Sequence, residues 1–362
     1  MQLTNISLQH FRSFLKERIE FSPTVTLIIG SNAIGKTNII EAMFMMTLGK
    51  SYRAKRDSDV ITWGKEIARI QSTCREHSIG DEVRLELLVT TGALHGQKAP
   101  SKKYLVNGVS RRQVDFIGNF RSVLFSPTDL ELVTDSPTLR REYLNYVLIQ
   151  VDREYRRNLQ SYERGLRQRN SLLDRINEGT ASRSQLLFWN QLLIKTGSYI
   201  TESRKRYIET INAYTFAHLS YQLVYDPSII SVGRLQGYVE EEIAAKTTLV
   251  GPQRDDFQFE KKQKNETVID ISRFGSRGEQ RLAVLWLKLA ELTFIESETK
   301  ERPTLLLDDI FSELDGSSRQ LVLDLTKKQQ TIITSAEEDV THLVADIPNI
   351  KILRLPLKNK VQ

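Results

Sequence analysis

The chain has one cysteine, five scattered histidines and no apolar run of membrane-spanning length. Each shortage closes off a class of protein. Cys74 has no partner for an internal disulfide, and His10, His77, His95, His218 and His342 lack the close spacing of metal ligands, so no structural metal is expected. Crossing a bilayer as a helix takes roughly 18 consecutive apolar residues, and no stretch approaches that. The opening MQLTNISLQHF alternates like a strand where a signal peptide would carry an apolar core, so the expected compartment is the cytoplasm. Internal repeats and low-complexity linkers are also missing, and the closing PLKNKVQ reads as a frayed tail.

What is present is a chain of 362 residues, 40% hydrophobic, enough for one large domain or two ordinary ones around a buried core. A net charge of +6 favours a polyanionic partner, but spread over this length it says little until the charge is located. The first 110 residues are rich in strand signals: QLTNISLQ, RIEF, VTLII, ARIQSTC, VRLELLV and KKYLVNGVSRR. In the last of these, Asn107-Gly108 suits a two-residue hairpin turn. A helical pattern over Asn38–Gly49 interrupts the strands. From Ser136 to about Leu219 the texture turns helical, with a break at NEGTASRS, residues 177–184. The first long helix there, Asp152–Ile176, would reach about 37 Å. Strand signals then return in YQLVY, DDFQFEK, TLLLDD, TIITS and IKILRL. The chain therefore leaves an α/β core for a helical hairpin and comes back to it.

The string Gly30-Ser31-Asn32-Ala33-Ile34-Gly35-Lys36-Thr37 fits the eight-residue P-loop pattern and lies between a buried strand and a helix, as the mechanism requires. Gly30 and Gly35 let backbone N–H groups turn onto phosphate oxygens, the helix N-terminus adds partial positive charge, Lys36 reaches the β- and γ-phosphates, and Thr37 offers a hydroxyl to Mg2+. A second metal ligand is expected from a neighbouring strand. PTLLLDDIFSELD supplies it: Asp308 ends an apolar run as the Mg2+ ligand, and Asp309 is placed to orient or deprotonate a water as the catalytic base. Asp315, before GSSRQLVLDL, fits a helix cap.

A third feature is FGSRGEQRLAVLWLKLAELTF, Phe274–Phe294, where a Ser-x-Gly-x-Gln opening precedes a long amphipathic helix. Ser276 and Gly278 there present a hydroxyl and free N–H groups at a positive helix end. Either this loop caps its own helix, or it completes the nucleotide site of a second copy. The order of Walker A, this loop, then Walker B with Ser312-Glu313-Leu314-Asp315 is that of ABC-class ATPases, which favours the second copy.

These blocks together resemble the RecF family. The likeness covers almost the whole chain and rests on GSNAIGKTN, SYRAKRDSDVITWG (51–64), VLFSPTDLELVTDSPTLRREYLN (123–145), LRQRNSLL (166–173), LVGPQRDDF (249–257), SRGEQR and LLLDDIFSELD. It implies an α/β fold: an ABC-type P-loop ATPase head with an inserted, mostly helical arm lobe. The head would comprise 1–120 and 249–362, and the arm 121–248. The resemblance also implies ATP and Mg2+ as cofactors, an ATP-dependent homodimer, slow hydrolysis, sequence-independent DNA binding at gapped or junction duplex, and RecR/RecO-like mediator proteins as partners. By position, Asn38 continues the loop at the nucleotide, Arg12 in HFRSF resembles an arginine that touches phosphate, Ser276 reaches the partner's γ-phosphate, and Asp315 ends a D-loop facing the opposite protomer. The loop carries Ala33 where SMC-type ATPases usually have glycine, and the chain departs from the family pattern at Arg277, Glu279, Gln253 and Asn145, where glutamine, glutamine, histidine and aspartate are usual. Glu279 near a phosphate would be repulsive unless Arg277 offsets it.

The arm segment DREYRRNLQSYERGLRQRN carries Arg153, Arg156, Arg157, Arg164, Arg167 and Arg169, and Lys55, Arg56, Arg111 and Arg112 add positive charge on the head. No base-reading motif accompanies them. Each cluster alone reads as a solvated face, and the resemblance turns the reading toward phosphate contact. The leading function is an ATP-gated DNA-binding dimer that helps load a recombinase at gapped DNA. The alternative is an ATP-switched interaction platform with little DNA binding of its own. An SMC-like or transporter ATPase is disfavoured, because the insert is too short for a long coiled coil.

Overall fold

A computed structural model describes residues 2–75, 81–216, 219–262, 267–338 and 340–356. His77, His218 and the tail from Leu357, read above as frayed, lie outside the described residues. Strands β1 (Gln2–Phe11), β2 (Phe14–Glu20), β3 (Val25–Ile29), β4 (Ile67–Arg75), β5 (Glu82–Thr90), β6 (Lys102–Val106), β7 (Val109–Arg111) and β8 (Ser122–Phe125) come first. They are followed by β9 (Tyr221–Asp226), β10 (Asp256–Lys262) and β11 (Val268–Asp270), then by β12 (Thr304–Asp308), β13 (Thr331–Ser335) and β14 (Lys351–Arg354). The main helices are α1 (Lys36–Leu48), α2 (Pro137–Val151), α3 (Arg153–Asn177), α4 (Leu186–Asn212), α5 (Arg277–Thr299) and α6 (Gly316–Thr326). The chain forms two compact units, Met1–Asp129 with Glu291–Gln362, and Leu130–Ala290.

The first unit holds two large sheets, besides a short antiparallel ribbon pairing Ala93–Leu94 with Gln97–Lys98. An antiparallel one runs β2-β1-β4-β5-β6-β7, and a parallel one runs β8-β12-β13-β3-β14. Strand β4 buries Ala68, Ile70, Ser72 and Cys74 and turns the alternate residues outward, the pattern of a sheet with one face in the core. Burial pushes the Cys74 thiol up to about 12. Strands β3, β8, β12 and β13 are buried along their whole length, as parallel strands covered on both faces are. The β6–β7 hairpin turns at Asn107 (φ 50°) and Gly108 (φ 78°), both left-handed, as the sequence predicts.

Helix α1 contacts strands of both sheets, and every residue except Thr37 and Asn38 is buried. This explains a run, IIEAMFMMTL, that is apolar on all sides rather than along one stripe. The helix begins two residues earlier than its periodicity suggests, and Gly49 is its left-handed C-cap (φ 70°) rather than its last turn.

In the second unit, α3 spans 25 residues and starts one residue after the predicted position, because Asp152 is its N-cap and accepts the N–H groups of Glu154 and Tyr155. Helices α3 and α4 pack along each other as the predicted hairpin. At Gly197 on α4, an added Cβ would come within 3.0 Å of the Tyr162 ring, so the close approach depends on glycine. Strands β9, β10 and β11 form a separate antiparallel sheet. The unit therefore runs to Ala290, beyond the 121–248 arm read from the sequence, and leaves β8 to the first unit, where it pairs with β12. The β9–β10 pairing spans residue 248, which is why no boundary falls there.

The arm face of α3 corrects the list of candidate DNA-binding residues. Tyr155, Tyr162 and Arg169 recur every seven residues and are all buried. The Arg169 guanidinium meets Glu242 at 2.6 Å, Thr248 at 2.8 Å and Asn190 at 2.7 Å, with both charged side chains fully enclosed. Arg153, Arg157, Arg164 and Arg167 remain exposed. A second enclosed network joins Arg204 to Asp255 (2.7 Å), the Pro252 carbonyl (2.7 Å) and Asn145 (3.0 Å). Asn145 also accepts the Tyr155 hydroxyl at 2.7 Å, and Gln253 accepts that of Tyr162. Two departures from the family pattern, Asn145 and Gln253, are thus partly buried and hydrogen-bonded within the unit.

Glu242→Ala leaves the buried Arg169 charge without its partner and is expected to destabilise the second unit by about 3–5 kcal/mol, whereas Glu242→Gln, which keeps an acceptor, costs less. Urea denaturation of both variants, followed by circular dichroism, checks the order and the size.

Candidate nucleotide and metal site

The parallel register gathers the P-loop and the Walker B acids. Strand β13 pairs Ser335 with Ile29 of β3 and Thr334 with Asp308 of β12, while β8 pairs Phe125 with Leu307. The carboxyl ends of these strands carry Gly30, Asp308, Asp309 and Ser126 to one edge of the sheet, where ligands of open α/β sheets bind.

From Gly30 the loop turns sharply into α1. Gly30 donates its N–H to the Ser335 carbonyl at 3.3 Å, tying the loop to β13. Gly35 has φ 114°, and a Cβ there would meet the Phe14 ring at 3.0 Å, so both conformation and space demand glycine. Ala33 adopts φ 63° without that freedom, which costs about 1–2 kcal/mol. Ser31, Asn32 and Ala33 are exposed, and Ile34 is partly buried. The Lys36 ammonium folds back on its own loop, donating to the carbonyls of Gly30 (2.7 Å) and Ser31 (3.1 Å). Asn38 donates to the Ser13 hydroxyl at 3.0 Å.

Thr37 and Asp308 meet, their Oγ1 and Oδ1 being 3.1 Å apart. Two adjacent ligands of an octahedral Mg2+ at about 2.1 Å are separated by about 3 Å, and both atoms are the hard oxygens that this ion takes, so the pair fits it. Thr334 Oγ1 donates to the same Asp308 oxygen at 2.7 Å. Burial raises the Asp308 carboxyl above its ordinary range, and the Thr334 and Thr37 hydroxyls oppose that shift, as does the charge of Arg53. Asp309 is partly exposed at φ 54°, with its N–H on the Thr334 carbonyl (3.2 Å) and hydroxyl (3.1 Å).

Arg12, at the two-residue turn between β1 and β2, clasps Glu41 of α1 through Nε (2.8 Å) and Nη2 (2.6 Å) and donates to the Asp59 carbonyl at 2.7 Å. Glu41 is fully buried, so this fork compensates an enclosed carboxylate. The Ser51 hydroxyl donates to the same carboxylate, and Arg53 approaches it at 3.8 Å. Between them the Tyr52 hydroxyl is enclosed without a hydrogen-bond partner among the described residues, its phenol pushed up by burial and then by the charge of Asp308. The segment 51–53 is thus a neighbour of Asp308. The sequence marked it only as a block resembling a family, with no role for any residue.

Ser276 and Gly278 belong to the second unit and are exposed. Within the chain, Ser276 and Glu279 cap one another: the Glu279 N–H donates to Ser276 Oγ (3.3 Å), while the Ser276 N–H (3.0 Å) and hydroxyl (3.1 Å) donate to the Glu279 carboxylate. Lys261 holds the other Glu279 oxygen at 2.9 Å and, with Ser276, keeps that carboxyl below its usual range. Lys261 therefore pairs with the Glu279 charge within the same unit. In the first unit, Asp315 caps α6 by accepting the Ser318 N–H at 2.8 Å.

The family description "RecF/RecN/SMC N terminal domain" matches residues 2–354. The chain is 33% identical over 346 residues to the DNA replication and repair protein RecF of Lachnoclostridium phytofermentans, covering 92% of each. It is 34% identical over 359 residues to the protein of the same name from Listeria monocytogenes, covering 92% of this chain and 93% of that one. Among solved structures, the recombination mediator protein RecF with ATP in the RecFOR pathway superposes with a TM-score of 0.82 at 29% identity, over 93% of both chains. An Smc head domain with an extended coiled coil from Pyrococcus furiosus, at 19% identity and TM-score 0.51, shares the fold. A P-loop joined through Thr37 to a Walker B acid, in a chain matched nearly end to end, identifies it: this protein belongs to the RecF family and has the family's ABC-type ATPase head fold.

Proposed function

We propose that this chain is an ATP-dependent DNA-binding protein of replication and recombinational repair, which dimerises on ATP and helps load the recombinase at gapped DNA. The observation that carries this reading is the 3.1 Å contact between Thr37 and Asp308, in a chain alike over 93% of its length to a RecF described with ATP. In the reading, N–H groups of the loop and the start of α1 hold the β- and γ-phosphates, and Lys36 leaves its loop carbonyls to neutralise them. Thr37 and Asp308 hold Mg2+, which supplies charge neutralisation at the phosphates when bound. Asp309 orients the attacking water and accepts its proton, so hydrolysis acts as a slow switch. Ser276, exposed at the start of a helix of 23 residues, is the group offered to the nucleotide of a second copy, with Gly278 beside it and Asp315 on the facing D-loop. DNA and mediator proteins of the RecO and RecR type are the partners, and contact through the exposed arm arginines would be with phosphate and would weaken steeply with salt. No helix among the described residues is long and apolar enough to cross a membrane.

Lys36→Ala should abolish ATP binding with the fold intact, as measured by fluorescent-nucleotide titration. Asp309→Asn should retain Mg2+–ATP and lower turnover at least tenfold, lengthening the life of the dimer; turnover at the wild-type rate would remove Asp309 as the base.

Ser276→Arg should bind ATP as a monomer and fail to dimerise on gel filtration. An equimolar mixture of Ser276→Arg and Lys36→Ala chains should recover part of the ATP-dependent dimer, because the heterodimer has one complete site. Dimers of Ser276→Arg alone at wild-type ATP dependence would leave the loop as a helix cap only. DNA binding by the isolated chain that does not respond to ATP would overturn the gating.

A further inference from the structure

We infer that Thr334 is a positioning residue of the metal site, a single hydroxyl that sets the Asp308 carboxylate and the Asp309 backbone together. The inference rests on the reading of Asp308 as the metal ligand. Thr334 is fully buried at the penultimate position of β13, paired with Asp308 in the parallel ladder. Its hydroxyl has one proton to give. The shortest contact, 2.7 Å, sends it to Asp308 Oδ1, against 3.4 Å to the Leu307 carbonyl. Thr334 Oγ1 in turn accepts the Asp309 N–H at 3.1 Å.

Both functions need that help. Among the described residues Asp308 Oδ1 has one other side-chain donor, Thr37, and Thr37 is itself in the metal-binding pair, so it cannot serve as an independent brace. Thr334 orients the carboxylate without being a ligand, which is how groups behind a metal ligand tune affinity. Asp309 holds φ 54°, a conformation that a non-glycine residue keeps only when its surroundings over-determine it. Its N–H is fixed by Thr334 through both the carbonyl and the hydroxyl, and its Oδ1 receives the Ala336 N–H at 3.4 Å. The β-branch limits χ1, so the hydroxyl is directed with few alternatives. A buried hydroxyl that merely satisfied the ladder would leave the metal indifferent to its loss.

The test uses the full chain and Mn2+ as a spectroscopic probe, with ATP present. Thr334→Val keeps the shape and removes the hydroxyl. We expect Mn2+ affinity, read by electron paramagnetic resonance, to fall about 10- to 100-fold. Nucleotide affinity in EDTA should stay within about threefold of wild type, and Thr334→Ser should restore the metal affinity. Mn2+ affinity of Thr334→Val within about threefold of wild type would overturn the inference, whatever happens to its melting temperature. Asp308→Asn is the control: if it too leaves Mn2+ binding unchanged, the Walker B assignment fails and this inference falls with it. Should the valine protein not fold, Thr334→Ala carries the same comparison. A crystal structure of the wild-type chain with nucleotide and metal gives a variant-free arm, and Thr334 Oγ1 more than about 4 Å from Asp308 there would overturn the assignment.

Discussion

The site depends on the register of three parallel strands. Strand β13 lies between β12 and β3, and its last two residues pair with Asp308 on one side and Ile29 on the other. A shift of one residue in either pairing would turn Thr334 away from Asp308 and displace the Ser335 carbonyl that holds the Gly30 N–H. Full burial of VTLII, TLLLD and TIITS on both faces makes such slips costly. The chemistry at the strand ends is therefore a consequence of packing in the strand interiors.

Helix α1 transmits the same constraint in the other direction. It is the common wall between the parallel and antiparallel sheets, so its one acidic residue, Glu41, is enclosed and has to be paired. The pairing recruits Arg12 from the β1–β2 turn and Ser51 and Arg53 from the segment after the helix, which keeps Tyr52 and Arg53 beside the Walker B acid. A residue that looks like an anomaly in an apolar helix organises one border of the site.

In the second unit the polar core has the corresponding role. Arg169 with Glu242 and Arg204 with Asp255 are enclosed ion pairs whose remaining donors reach carbonyl, hydroxyl and amide oxygens. The blocks LRQRNSLL and LVGPQRDDF, on which the family likeness partly rests, supply Arg169, Pro252 and Asp255 to these networks.

By itself the sequence determined the P-loop, Asp308 and Asp309, the Asn107-Gly108 hairpin, the helical hairpin and the family. Each is written in local spacing: a glycine pattern between strand and helix, an apolar run ending in acids, a turn dipeptide, or a helical period. It also singled out Ser276 with two alternative readings, one of which, the cap, is met within the chain by Glu279. Only the tertiary structure decided that Arg169 is enclosed, that Arg12 clasps Glu41, that Lys261 neutralises Glu279, and that Thr334 serves both acids. Arg169 is one arginine among seven in a charged helix, and Thr334 is one hydroxyl in a strand of threonines, isoleucines and a serine. Their partners lie 73 and 26 residues away in the chain, and no local pattern states which face of a helix or strand will meet them.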